Sequence, residues 1–189
     1  MKTTIKRSAV ILAILALSVG IGFLYDTIWD KIDRVRYPRE YSGMVSRYSA
    51  EYGVPDYIIY SVIKVESDYQ SNAVSHAGAV GLMQITPDTF DWLMMLCRED
   101  LDHGLLYDPE TNIRYGTYLL SYLYTEFGNW NTVYAAYNAG MTRVKGWLED
   151  AAYSDGEGNL TYIPIQETRE YVPKINAAIE VYQRLYYEG

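Results

Sequence analysis

The sequence predicts a mainly α-helical domain that is preceded by one transmembrane helix. Residues 9–25 read AVILAILALSVGIGFLY, an uncharged apolar run that reaches the length of roughly 17–20 residues needed to span a bilayer. Beyond this run, apolar residues recur mostly at helical spacing, and hardly any segment alternates between apolar and polar residues as a half-buried strand would.

Length and composition narrow the classes of function. A chain of 189 residues suits one domain of about 100–150 residues with an appendage. The net charge of −8 disfavours nucleic acid as a partner, because such proteins carry a basic face. Cys97 is the only cysteine, so no internal disulfide can form. His76 and His103 are too few to indicate a metal site, and none is predicted.

The amino terminus predicts a single-pass membrane protein whose main domain lies outside the cytoplasm. Three cations, Lys2, Lys6 and Arg7, precede the apolar run and should remain in the cytoplasm. The run continues through Tyr25, beyond a usual cleavage signal, so we prefer an uncleaved anchor to a removed signal peptide, which would leave a secreted protein. The predicted division is a cytoplasmic tail at 1–8, an anchor at 9–25, a stalk at 26–40 and the main domain at 41–189.

Capping residues place the helices of that domain. Helices are expected over about 41–52, before Gly53, and from Pro55 to Glu66. Thr86-Pro87 predicts the start of a third helix, because Thr can cap the helix and Pro fits its first turn.

The remaining helices follow from similar signals. Asp108-Pro109 repeats the capping device and opens a fourth helix that ends before Gly128. Shorter helices are expected within 130–149 and a loop over 154–164. A last helix should cover about 168–187, where Pro173 should bend it or confine its start.

Glu66 is the candidate catalytic residue. It lies in register with Ile59, Val62 and Ile63 at helical spacing, which would place a carboxylate on an apolar helix face. Burial raises the pKa of a carboxyl group, as a general acid near neutral pH requires. The alternative is that Glu66 is the exposed end of its helix, and periodicity alone does not decide between the two.

The segment after Glu66 favours the catalytic interpretation. Its glycines permit tight turns and a close approach of backbone to ligand, so the segment can fold back across the carboxylate. Ser75 and Gln84 would then be polar groups in a mostly apolar wall. The alternative is a plain surface loop, but such a loop would expose the apolar side chains of Leu82, Met83 and Ile85 to water.

Three motifs in order resemble family-one lytic transglycosylases, which have a soluble-lytic-transglycosylase or goose-type lysozyme-like fold. The motifs read ESDYQSNAVSHAGAVGLMQITP from Glu66, AAYNAG at 135–140 and ETREYVPKI at 167–175. The resemblance covers about residues 41–187 and is specific because all three motifs occur in the family's order. Departures are Tyr69, where Phe is common, and a loop at 150–162 without an identified counterpart.

The resemblance implies a lysozyme-like helical domain with a groove for a peptidoglycan glycan strand. Glu66 matches the catalytic acid and base, and no cofactor or metal is implied. The matched substrate-binding positions are Ser75, near the reacting N-acetylmuramic acid; Met83 and Gln84, in the groove lining; Tyr137 and Asn138, beside the catalytic Glu; and Glu167 and Tyr171, on the far wall.

The resemblance also implies the reaction, cleavage of the MurNAc–GlcNAc bond with formation of 1,6-anhydro-MurNAc ends. The substrate's N-acetyl group would replace the second carboxylate that most glycosidases use. Three alternatives stay open. They are a lysozyme-type hydrolase with Glu167 placed to activate water, a non-catalytic glycan-binding module, and a helical partner-binding protein, which leaves the motifs unexplained. The expected partners are glycan strands and the cell membrane; protein partners are not predicted.

Overall fold

The domain is an assembly of α-helices with one long helix leading into it. The computed structural model of the protein describes residues 2–187, and within them the side chains of residues 17–25 and 27–187. The helices are α1 Lys2–Arg36, α2 Ser42–Tyr52, α3 Asp56–Ser67, α4 Pro87–Cys97, α5 Pro109–Phe127, α6 Trp130–Ala139, α7 Met141–Leu148 and α8 Gln166–Tyr186, with a short 3₁₀ helix at His103–Tyr107.

The predicted helix starts are confirmed by their caps. The Thr86 side chain accepts a hydrogen bond from the Thr89 backbone N–H at the start of α4. The Asp108 carboxylate accepts one from the Thr111 N–H at the start of α5. These oxygens satisfy backbone donors that the first turn of a helix leaves unpaired.

Pro173 lies inside α8, which continues on both sides of it from Gln166 to Tyr186. The expectation that this proline confines the start of the last helix is therefore wrong. The helix begins two residues earlier than expected. Its buried face, which includes Thr168, Val172 and Ile175, packs against the rest of the domain and holds the segment helical despite the missing N–H donor.

α3 is the central helix of the domain. Ile59, Val62 and Ile63 are fully buried, and α3 packs against α8 on one side and α2 on another. α5 packs against α2 and α6, and α6 contacts α8. At the carboxyl end of α3, residues of α5, α6 and α8 line a common cavity with Glu66. Strand pairing among the described residues is limited to isolated bridges, such as Val74 with Val80 and Val80 with Ile85.

The segment predicted as a stalk is helical through residue 36 and is attached to the domain. Arg184 of α8 binds both Asp30 and Asp33 of α1. After the helix ends, the Pro38 carbonyl accepts hydrogen bonds from the hydroxyls of Tyr69 at 2.6 Å and Tyr182 at 3.0 Å. The segment before the domain is thus packed against α8.

Among the residues whose side chains are described, no helix combines the length and the apolar character needed to cross a membrane. Part of the predicted anchor, residues 9–16, lies outside those residues. The anchor therefore stays a prediction.

Candidate active site

Glu66 lies in the last turn of α3, where the helix ends and the chain turns sharply. Ser67 is the last helical residue, and Asp68 and Tyr69 both adopt positive φ angles of 49° and 66°. The Ser67 hydroxyl donates to the Leu82 carbonyl at 2.8 Å, which ties the following loop back to the end of α3. Asp68 is an exposed turn residue that pairs with Lys64.

A cavity of about 190 Å³ opens beside Glu66. Five of the predicted site residues line it together with Glu66: Ser75, Gln84, Tyr137, Asn138 and Glu167. These side chains come from the loop after α3, from α6 and from α8. The structure therefore brings the three sequence motifs to one site.

Burial controls the protonation of Glu66. Burial, which disfavours the charged form, raises the pKa of the Glu66 carboxyl group from 4.5 to about 7, even though one side of the group is open to the cavity. A hydrogen bond from the Tyr171 hydroxyl to Oε1, 2.7 Å long, lowers the pKa, while the nearby Glu167 carboxylate raises it. Near neutral pH the group can therefore both give and take a proton.

Two tyrosines surround the Glu66 carboxyl group. Burial raises the pKa of Tyr137 and of Tyr171 well above the usual 10, so both hydroxyls stay protonated. Tyr137 donates to the Met83 carbonyl at 2.7 Å and lines the cavity. Tyr171, predicted for the far wall of the groove, is almost fully buried and contacts Glu66 itself.

Met83 differs from its expected place. Its side chain is fully buried and packs against Gly116 of α5, where an added Cβ would lie 2.4 Å from the Met83 sulfur. It does not line the cavity beside Glu66, so the prediction that it lines the groove is wrong for this structure. Asn112 holds the backbone of Met83 in place, because the Met83 N–H donates a hydrogen bond to Asn112 Oδ1 at 2.7 Å.

The loop that carries Ser75 and Gln84 is held by polar contacts. Ser75 Oγ accepts from the Ala79 N–H at 3.0 Å. Gln84, at a φ of 49°, donates through Nε2 to the carbonyls of Ala73 and Gly81. Both side chains border the cavity, and these bonds fix their orientation toward it.

Asn112 is a supporting residue that sequence reasoning missed. It is 1% exposed, and its Nδ2 donates to the carbonyls of Val80 at 2.9 Å and Leu106 at 2.8 Å. Gly81 passes so close that a Cβ there would lie 2.3 Å from Asn112 Nδ2. A buried, fully bonded amide therefore determines the course of the loop.

Thr168 is a second supporting residue that was missed. It is buried, and its hydroxyl donates to Asn138 Oδ1 at 2.7 Å. Because that bond engages the amide oxygen, the Nδ2 group of Asn138 is the donor left for a ligand in the cavity. Further cavity-lining residues outside the predicted set are Ala77, Ala79, Ile85, Thr86, Thr89 and Leu119.

A second cavity of about 300 Å³ adjoins the first and shares Thr89, Leu119 and Tyr137 with it. Its other lining residues include Trp92 and Met141. The two cavities thus lie side by side, and the space they form together is called the groove below. Within the described part of the chain, no cluster of His, Cys, Asp and Glu could hold a metal ion.

Comparison with known proteins identifies relatives of this chain. The soluble lytic murein transglycosylase of Escherichia coli K12 is 36% identical over 164 residues, which cover 84% of this chain and 25% of the relative. The membrane-bound lytic murein transglycosylase C of Cronobacter sakazakii is 31% identical, over 77% of this chain and 47% of the relative. The chain spans about a quarter of the length of the soluble relatives it matches.

Solved structures show the same fold. A 70-kDa soluble lytic transglycosylase in complex with bulgecin A superimposes with a TM-score of 0.76 at 34% identity, covering 86% of this chain and 27% of that one. An inactive mutant of the lytic transglycosylase Slt from Pseudomonas aeruginosa gives 0.71 at 31% identity, covering 80% and 25%. The family model of the transglycosylase SLT domain matches residues 43–160. The chain, with its lysozyme-like helical fold, therefore belongs to the transglycosylase SLT domain family.

Proposed function

We propose that this protein is a peptidoglycan lytic transglycosylase that cleaves the MurNAc–GlcNAc bond and leaves 1,6-anhydro-MurNAc ends. The observation that carries the proposal is the partly buried Glu66, whose pKa is raised to about 7 at the wall of a groove. Burying a carboxyl group in this way is costly. A module that only binds glycans has no need of it.

In the first step Glu66 acts as an acid. Its carboxyl proton moves to the glycosidic oxygen, the bond from that oxygen to C1 of MurNAc breaks, and the GlcNAc hydroxyl leaves. The carbonyl of the MurNAc N-acetyl group stabilises the cation that develops at C1. Asn138 Nδ2 and Gln84 border the space where these polar groups would lie.

In the second step Glu66, now a carboxylate, acts as a base. It takes the proton of the C6 hydroxyl of the same sugar, and O6 bonds to C1. The Tyr171 hydrogen bond stabilises the carboxylate between the two steps. The proton that Glu66 gave is restored, and no water is consumed.

Glu167 bears on the choice between transglycosylase and hydrolase. Its carboxylate lines the same cavity and raises the pKa of Glu66. That effect favours the protonated acid that the first step needs, and it requires no activated water. A lysozyme-type hydrolase would instead use Glu167 to activate water across the groove, at a separation of roughly 6.5–9.5 Å in inverting enzymes.

Mass spectrometry of digested, purified peptidoglycan tests the proposal. We expect anhydro-muropeptides, each lighter than the lysozyme product by one water, about 18 Da by mass balance of the two reaction courses. Digestion in ¹⁸O-labelled water should leave these ends unlabelled. Labelled, reducing MurNAc ends as the main product would establish the hydrolase instead.

We further propose that residues 9–25 anchor the protein in the membrane, with its catalytic domain outside the cytoplasm. The uncharged run and the preceding Lys2, Lys6 and Arg7 support this orientation. Tyr25 and Trp29 lie at the end of the run with ring centroids 5.8 Å apart, and such residues are enriched at the membrane interface. A mature protein in native membranes that began near Ile21 would contradict the anchor and indicate a released enzyme.

A further inference from the structure

Among the exposed apolar residues of α1, one row forms a stripe along the helix that Lys31 interrupts. Its members Leu17, Ile21, Leu24, Ile28 and Val35 are between 48% and 81% exposed. From Leu17 to Ile28 they follow one another in steps of four, three and four residues. This is the spacing of the a and d positions in a heptad repeat.

The residue types of the stripe fit a particular assembly. The a positions hold Ile21, Ile28 and Val35, which are all β-branched, and the d positions hold Leu17 and Leu24. In parallel coiled coils, β-branched residues at a with Leu at d favour two strands. In the sequence, the same steps extend back to Ile14 and Val10.

The attachment of α1 to its own domain leaves this stripe free. Asp30 and Asp33, which bind Arg184 of α8, occupy the c and f positions of the same repeat. These positions lie on the outer side of a coiled coil, away from its seam. Arg34, which donates to the Leu185 carbonyl at 2.7 Å, occupies the g position beside the seam. A second helix along the stripe would therefore leave the Asp30 and Asp33 contacts with α8 in place.

We propose that α1 pairs in parallel with α1 of a second copy of this chain along this stripe. The parallel direction rests on the proposed anchor, since two copies inserted with the same topology present their helices in the same direction. The pairing does not depend on the proposed catalytic activity. Because each catalytic domain is attached to its α1, the dimer would hold two grooves at a fixed spacing.

The contact area is sufficient for a dimer. Complete burial of one Leu or Ile side chain removes on the order of 60–120 Å² of apolar surface from water. The five described seam positions on each helix, from Leu17 to Val35, therefore cover on the order of 600–1,200 Å² in total, which reaches the roughly 1,000 Å² of a specific interface. The hydrophobic gain applies in water; within lipid, packing between the helices takes its place.

Lys31 occupies the d position between Ile28 and Val35. A single polar residue in a seam lowers stability but specifies register and the number of strands. The long side chain can cover apolar surface while its ammonium group stays in water. Replacing Lys31 with Leu should therefore strengthen the dimer.

Disulfide cross-linking of the full chain in membranes tests the proposal. In a Cys97→Ala background, single cysteines at Ile28 and Val35 should give cross-linked dimers under mild oxidation. Matched cysteines one residue further on, at Trp29 and Arg36, should give little, because they lie outside the seam. A several-fold higher yield at each seam position is the expected result.

Two results would overturn the proposal. One is the lack of cross-links at Ile28 and Val35, as expected if lipid headgroups cover the stripe. The other is equal cross-linking at all four positions, which indicates random collision. Lys31→Leu should increase the dimer fraction of the Ile28→Cys protein several-fold, and an unchanged or lower fraction would also contradict the seam. Glu66→Gln should cross-link like the parent, which separates this outcome from that of the proposed activity.

Discussion

Tyr171 donates a 2.7 Å hydrogen bond to Oε1 of Glu66, although 105 positions separate the two residues in the sequence. The bond stabilises the carboxylate and lowers the pKa of Glu66, against the larger effect of burial. The acid form of Glu66 is therefore lost as the pH rises through about 7. Activity should fall on the alkaline side at this pH.

Replacing Tyr171 with Phe should shift this alkaline limb to higher pH. The change removes the bond that lowers the pKa of Glu66, so the acid form persists further. The maximal rate should also fall, because the carboxylate formed after the first step loses its donor. The pH profile of kcat/KM measures the shift, with Tyr124→Phe, on an exposed ring, as control. An unmoved or lowered limb would show that Tyr171 does not govern this titration.

Glu66→Gln should abolish glycan cleavage in a folded protein. The amide keeps the shape of the side chain but has no transferable proton, and general acid–base help contributes about 10²–10⁴-fold. Turnover is measured by release of soluble muropeptides, and folding by circular dichroism. Asp68→Asn, two residues away on an exposed side chain, should keep most of the activity. Substantial turnover by Glu66→Gln would remove Glu66 from its assigned role.

The same substitution should change how stability depends on pH. The folded pKa of Glu66 is about 7 against 4.5 for the free group, so the folded state favours the protonated form. That contribution is complete below pH 4.5 and is lost as the pH rises through about 7.

The Gln side chain of Glu66→Gln does not titrate, so its stability has no such loss as the pH rises. Relative to the parent, it should therefore be more stable at alkaline than at acidic pH, by on the order of 1–3 kcal/mol, the lower end allowing for the side open to solvent. Urea unfolding at acidic and alkaline pH measures the difference. A stability gap that is the same at both would contradict the raised pKa.

Thr168→Val should weaken substrate use through Asn138. Without the hydroxyl, Asn138 loses the contact that orients its amide toward the groove. The loss of one such bond is worth about 1–1.5 kcal/mol, or roughly 10-fold in kcat/KM. Thr168→Ser keeps the hydroxyl and should restore most of the activity. If Ser and Val behaved alike, packing and not the hydrogen bond would explain the effect.

Asn112→Ala should destabilise the fold. It leaves the Met83 N–H and the Leu106 carbonyl without their partner, while the Val80 carbonyl keeps its bond from the Ile85 N–H. The cost is about 2–4 kcal/mol for buried polar groups. The free energy of unfolding measured in urea checks this value. Thr125→Ala, on an exposed position of the same helix, should change it little. A cost below ~1 kcal/mol would mean that the loop holds its course without Asn112.

Local signals were sufficient to predict much of the fold. Thr86 and Asp108 cap their helices as expected, since a cap depends on residues two or three positions apart. Periodicity placed Glu66 in register with the buried face of α3, and the motifs gave five of the residues that share its cavity. These features could be predicted because each depends on residues that are close together in the sequence.

The remaining features depend on contacts between distant segments. Nothing in the local sequence marks Asn112 or Thr168, because their partners lie in the loop after α3 and in α6. Met83 lies beside groove residues in the sequence, but its side chain packs in the core, where the missing side chain of Gly116 leaves room for it. Composition could not reveal that Asp30 and Asp33 bind Arg184, because that contact joins segments about 150 positions apart.

The position of Glu66 in the last turn of α3 has an electrostatic consequence. The unpaired carbonyls at the carboxyl end of a helix carry a partial negative charge of about half an elementary charge. A carboxylate formed there is repelled by the backbone. The helix thereby favours return of the proton to Glu66, as a further cycle of the proposed reaction requires.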